Sequence, residues 1–165
     1  MEFDKLIEKY DKPVPRYTSF PAMPNWRVED FVVKNWADEV KKGFEASSEE
    51  GISLYIHLPY CESLCTYCGC NTRITVNHAV ELPYIHALLA EWKLYLKALD
   101  TKPVIREIHL GGGTPTFFSA ENLQYLIQSI LNTVEVHPDH AFSFEGHPGN
   151  TTFNHLKSLY NVGFR

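Results

Sequence analysis

Residues 52–70 read ISLYIHLPYCESLCTYCGC. Ile52, Leu54, Ile56 and Leu58 alternate with Ser53, Tyr55 and His57, the period-two pattern of a strand with one apolar face. Pro59 ends that strand, because its nitrogen carries no hydrogen to continue a ladder. The four cysteines of the chain follow at once: Cys61, Cys65, Cys68 and Cys70. Disulfides within so short a run would close only tiny loops and restrict the unfolded chain little. Crowded thiols directly after a strand point to a metal or redox centre instead.

Downstream, the same kind of unit recurs. An apolar stripe of Ile85, Leu88, Leu89, Trp92, Leu96 and Leu99 predicts a helix over 79–99, with Pro83 tolerated in its first turn. Residues 104–110 read as a second strand, which runs into Gly111-Gly112-Gly113-Thr114-Pro115. Ser119 is a candidate N-cap for a third helix with the stripe Leu123, Leu126, Ile127, Ile130 and Leu131. Residues 141–146 (AFSFEG) form a third strand with Phe142 and Phe144 on one face and Ser143 and Glu145 on the other. Thr152 caps a short helix to about Tyr160, and Gly163-Phe164-Arg165 opens a fourth strand. Upstream, a helix is expected over 28–46, while prolines 13, 15, 21 and 24 make the first 27 residues irregular.

Alternating strands and helices predict an α/β fold with a parallel sheet. Right-handed crossovers then wrap the helices along one side of a curved sheet or barrel. In such barrels the functional groups sit at the C-terminal ends of the strands. The cysteine loop, the triple glycine and Glu145 all fall there.

The chain has 165 residues, 15 Lys+Arg and 20 Asp+Glu, hence a formal charge of −5. It is 44% hydrophobic and 13% aromatic, which excludes general disorder. The acidic balance argues against nucleic-acid binding. No apolar run approaches the roughly 20 residues of a membrane span. The charged N-terminus lacks the apolar segment of a secretory leader, so a cytoplasmic protein is expected.

Cys61-x3-Cys65-x2-Cys68 lacks the second, separated ligand pair of most structural zinc sites; His57 and His78 are the only nearby nitrogen donors. Three thiolates in one tight loop suit an iron–sulfur cube better. Three protein ligands for four irons leave one iron open, the mark of a catalytic centre. A zinc knuckle is the competing reading. The glycine run lets backbone approach a ligand closely. Trp26, Trp36 and Trp92 read as packing.

The residues now carry a resemblance. Cys-x3-Cys-x2-Cys with Tyr67 before the third cysteine is similar to the radical S-adenosylmethionine pattern. Residues 55–72 (YIHLPYCESLCTYCGCNT), 15–21 (PRYTSFP) and 111–116 (GGGTPT) resemble the oxygen-independent coproporphyrinogen III oxidases over the whole chain. The Cys-Gly-Cys-Asn continuation separates this family from related haem chaperones, the alternative function, beside a non-catalytic metal-binding fragment. The resemblance implies the first three βα units (51–165) of a partial (β/α)6 TIM-like barrel, preceded by an arm and helix (1–50), in a fragment of a longer protein. It implies that Cys61, Cys65 and Cys68 hold a 4Fe–4S cluster and that Cys70 does not. Tyr55, Tyr67, Gly112, Gly113, Thr114 and Glu145 would contact S-adenosylmethionine, of which one or two molecules bind. Arg16 would pair with a propionate of coproporphyrinogen III. An electron donor and an electron acceptor are the implied partners. Glu145-Gly146-His147-Pro148 departs from the family's frequent Glu-Val-Asp-Pro, but the glutamate is kept.

Overall fold

The structure is a computed structural model that describes residues 3–11, 32–47, 49–66 and 68–165. It divides into two units, Met1–Trp36 and Ala37–Arg165. Helix α1 (Phe3–Tyr10) lies in the first. It corrects the expectation of an irregular N-terminus: Phe3, Leu6, Ile7 and Tyr10 stand at i, i+3, i+4 and i+7, a helical stripe. Helix α2 (Val33–Ala46) matches the later part of the helix expected over 28–46; residues 28–31 lie outside the described ones. Ser47 stops α2, its hydroxyl donating to the Gly43 carbonyl at 2.9 Å.

Strand β1 (Ile52–Leu58) has the bounds its alternation predicts. Two short strands follow, β2 (Tyr60–Cys61) and β3 (Arg73–Ile74), paired parallel to each other. A 3-10 turn at His78–Val80 leads into α3 (Glu81–Leu99), which ends at Asp100 in the left-handed region, φ 58°. Strand β4 (Val104–Gly112) carries the sheet two residues into the glycine run, beyond the expected end at Leu110. Helix α4 (Ala120–Leu131) is capped by Ser119, whose hydroxyl accepts from the Asn122 amide.

Strand β5 (Glu135–Phe144) starts six residues before the expected Ala141. Glu135 and Val136 pair with Val104 and Ile105; the register then shifts, and pairing resumes at Ala141 opposite Glu107. Pro138 falls in that irregular stretch, where its missing N–H costs no ladder bond. Helix α5 (Phe153–Asn161) has a capping box in which Thr152 and His155 exchange hydrogen bonds. Phe164 then makes a single parallel bridge to Phe142, the opening of the expected fourth strand.

The sheet order is β1-β4-β5, and both pairings are parallel. Its apolar face supplies Ile56, Leu58, Ile108, Leu110 and Phe142 to the core. Ile85 and Trp92 of α3, Leu123, Leu126, Ile127 and Ile130 of α4, and Leu159 of α5 cover that face. Each fully buried aliphatic side chain contributes about 1.5–3 kcal/mol. The opposite face carries Tyr55, His57, His109, Ser143 and Glu145.

Candidate cofactor site

The cysteine loop leaves the end of β1 and returns at β3. Its stem is backbone: Arg73 N–H donates to Pro59 O at 2.7 Å and Thr75 N–H to Cys61 O at 2.9 Å. Inside the loop, Cys68 N–H donates to Cys65 O at 3.1 Å, which ties two candidate ligands together through the main chain. All four cysteines are free thiols, Cys61 and Cys68 half-buried, Cys65 and Cys70 exposed. Among the described residues, no three His, Cys, Asp or Glu side chains are gathered into a metal-binding group. By donor chemistry the loop fits an iron–sulfur cluster, since soft thiolates are its usual ligands. Cys70 sits beside Cys68; burial raises its thiol pKa first, and the Cys68 charge and hydrogen bond add to that.

The loop after β4 packs directly under the cysteine stem. Gly113 N–H donates to Leu58 O at 2.9 Å and Thr114 N–H to Tyr60 O at 3.0 Å, so β1 and β4 stay joined past their ends. Gly112 takes φ +113°, and a side-chain carbon there would strike the His57 ring at 2.8 Å. Thr114 then places its hydroxyl 3.3 Å from Cys61 Sγ. A small cavity of about 40 Å³ is lined by Cys61, Cys65, Thr114, His147 and Asn150 with Glu62 and Ser63. Two of the three expected thiols and the expected threonine therefore meet in one cleft.

Thr116 ties the third loop to the second. Its hydroxyl donates to Asn150 Oδ1 at 2.9 Å and accepts from Thr151 Oγ1 at 3.0 Å and from the His147 amide at 3.3 Å. His147 accepts the Gly149 N–H on Nδ1 at 3.1 Å.

Glu145 follows β5, held by its N–H on Leu110 O at 2.9 Å. It lies on the face opposite Phe142, as expected. Its carboxylate is not buried: the side chain is 56% exposed and lies 3.5 Å from His109 Nε2. Tyr55 shares that face. Burial raises its pKa, and the nearby Glu145 charge adds to the effect. The Tyr55 hydroxyl lies 3.2 Å from His57 Nδ1, and His57 Nε2 lies 2.8 Å from Asn71 O, so Nε2 carries the ring proton and Nδ1 accepts from Tyr55. Tyr67 and Arg16 lie outside the described residues.

Sequence reading missed Glu81. It is 2% exposed and accepts from Ser119 N–H at 2.8 Å and Asn122 Nδ2 at 2.7 Å, clamping the start of α4 to the start of α3. His78 bonds its other oxygen at 2.7 Å, stacks on Phe117, and faces Glu62 of the cysteine loop at 4.0 Å. A capping-type carboxylate at the first helical position was the available signal.

No family model matches the chain. It is 35% identical over 168 residues to the oxygen-independent coproporphyrinogen III oxidase of Helicobacter pylori, covering 99% of this chain and 36% of that protein. It is 37% identical over 160 residues to the protein of the same name from Cereibacter sphaeroides, covering 93% and 33%. The solved coproporphyrinogen III oxidase of Escherichia coli, described as a radical SAM enzyme, superposes with a TM-score of 0.77 at 26% identity, over 99% of this chain and 35% of that one. The chain thus spans about a third of the length of the relatives it matches. Its parallel strands with helices on one face are consistent with part of a TIM-like barrel.

Proposed function

We propose that this chain, whose relatives across 99% of its length are named oxygen-independent coproporphyrinogen III oxidases, is the cluster- and cofactor-holding part of a radical S-adenosylmethionine enzyme acting on coproporphyrinogen III. The observation that carries the reading is the junction of three strand ends. The thiol of Cys61 meets Thr114 at 3.3 Å, and the cleft between them is closed by His147 and Asn150 from the loop after β5.

In this reading Cys61, Cys65 and Cys68 hold a 4Fe–4S cluster with one iron left open, and Cys70 stays off it. When bound, the cluster and S-adenosylmethionine supply the one-electron chemistry that protein side chains lack. The chain's own residues position and shield. The Gly112–Thr114 backbone runs close beside the cysteine stem, where only small residues leave room for a ligand. Glu145 would accept hydrogen bonds from hydroxyl or amino groups of the cofactor, and Tyr55 and Tyr67 would be further contacts to it. Arg16 pairs bidentately with a substrate carboxylate. The net reaction removes carbon dioxide, one hydrogen atom and one electron from each of two propionates, leaving the two vinyls of protoporphyrinogen IX. A reductant starts the reaction and an oxidant takes the final electron. The setting is cytoplasmic; among the described residues no helix is long and apolar enough to cross a membrane.

The test is anaerobic reconstitution with iron and sulfide. The reading expects about four irons per chain, retained in Cys70→Ser and lost in Cys61→Ser, Cys65→Ser and Cys68→Ser. Stoichiometric zinc without sulfide overturns it, and so does iron loss in Cys70→Ser as complete as in the other three.

A further inference from the structure

The polar face of the sheet is organised around a residue that no motif marks. Tyr55 of β1 is in register with His109 of β4, and His109 with Ser143 of β5, so the three form one row across the strands. His109 is the centre of that row and touches both neighbours. Its ring stacks on Tyr55, centroids 5.9 Å apart and planes 18° from parallel. Its Nδ1 lies 2.8 Å from Ser143 Oγ. Its Nε2 faces Glu145 Oε1 at 3.5 Å.

The partners fix the roles of the two ring nitrogens. An ionised carboxylate only accepts, so Nε2 carries the proton toward Glu145; in the neutral ring Nδ1 then accepts from the Ser143 hydroxyl. Glu145 and Tyr55 converge over the same point of the sheet: a carbon added at Gly111 would lie 3.1 Å from the Tyr55 hydroxyl and 3.3 Å from the Glu145 carboxyl carbon. Both are more than half exposed, and a side chain that free pays rotamer entropy when it engages a ligand. His109 removes part of that freedom beforehand from both at once.

We propose that His109 is a positioning residue: it pre-orients the Glu145 carboxylate through Nε2 and the Tyr55 ring through stacking, for the ligand that these two residues receive. The inference rests on the cofactor reading above. It makes Nε2 the working atom and Nδ1 the anchor. Glutamine places a side-chain amide near the Nε2 position, whereas asparagine reaches only the Nδ1 position.

The experiment measures S-adenosylmethionine binding by equilibrium dialysis to reconstituted protein, with this sequence in a chain of the relatives' length. His109→Ala is expected to weaken binding about five-fold, the scale of one exposed polar contact and one ring contact, with iron content unchanged. His109→Gln restores affinity to within about two-fold, and His109→Asn does not. Unchanged affinity in His109→Ala overturns the inference, and so does equal affinity of the Gln and Asn variants. If His109→Ala loses iron or does not fold, the Gln-against-Asn comparison decides alone. A reference protein that takes up iron and sulfide but binds no S-adenosylmethionine overturns the cofactor reading itself, and this inference with it.

Discussion

Gly113→Ala tests whether the glycine run is a spacing device. A Cβ at this position lies 2.7 Å from both the carbonyl carbon and the oxygen of Pro59, and 2.9 Å from Tyr60 O. These are backbone atoms, and they are pinned: Pro59 O accepts from Arg73 N–H at 2.7 Å and Tyr60 O from Thr114 N–H at 3.0 Å. Relief requires the β4 loop and the cysteine stem to part by about 0.7 Å, in packing that resists such shifts. That movement stretches two hydrogen bonds, Gly113 N–H to Leu58 O and Thr114 N–H to Tyr60 O. At about 1 kcal/mol each, and with overpacking costing about 1–3 kcal/mol, the expected loss is about 3–5 kcal/mol. The same movement draws Thr114 away from Cys61, so iron retained after anaerobic reconstitution falls as well. The assay is urea unfolding followed by circular dichroism, in which the midpoint drops at unchanged slope. Gly43→Ala is the control. Nothing lies within 4 Å of a Cβ there, and helix propensity predicts a gain of about 0.5–1 kcal/mol. Wild-type stability and iron content in Gly113→Ala would refute the steric reasoning.

Two further perturbations bear on the supports of the site. Glu81→Ala leaves the Ser119 amide and the Asn122 side chain without their acceptor, and is expected to cost about 2–4 kcal/mol, against less than half of that for Glu81→Gln; equal unfolding midpoints for the two variants would contradict the clamp. Burial raises the pKa of Tyr84, whose hydroxyl donates to His57 O at 2.8 Å. The folded phenol therefore holds its proton to higher pH than the unfolded one, so its contribution is complete below about pH 10 and is lost as pH rises beyond it. Tyr84→Phe should flatten that alkaline decline in the unfolding midpoint, and an unaltered decline would show that Tyr84 does not drive it.

Much of this architecture could be read from residues because local and global signals agree. The alternation of residues 52–58 returned β1 residue for residue, and Ser119 and Thr152 cap the helices they were expected to cap. Other features carry no local signal. A two-residue strand such as β2 has no period to detect, and it exists because its partner is waiting across the loop. The first half of β5, EVHPDH, looks like a turn, yet Glu135 and Val136 pair with β4 because the sheet offers open backbone partners there. Helix α1 carries its own helical stripe, Phe3, Leu6, Ile7 and Tyr10, but it is short and the prolines that follow in the sequence are the stronger local signal. At the site, the cysteines, the glycines and Glu145 announced themselves by type and spacing. His109 and Glu81 did not, because their importance lies in which distant residues the fold sets beside them.

The stem formed by β2 and β3 has a bearing on ligand capture. Its hydrogen bonds run between main-chain atoms, so they stand whatever side chains occupy residues 62–72. The cost of drawing the two ends of that loop together, which grows with the logarithm of loop length, is met when the domain folds rather than when a ligand arrives. Thiols mounted on such a closed ring act at a high effective concentration toward anything that touches the first of them. Loss of the ligand need not undo the stem, and the emptied loop remains competent for refilling.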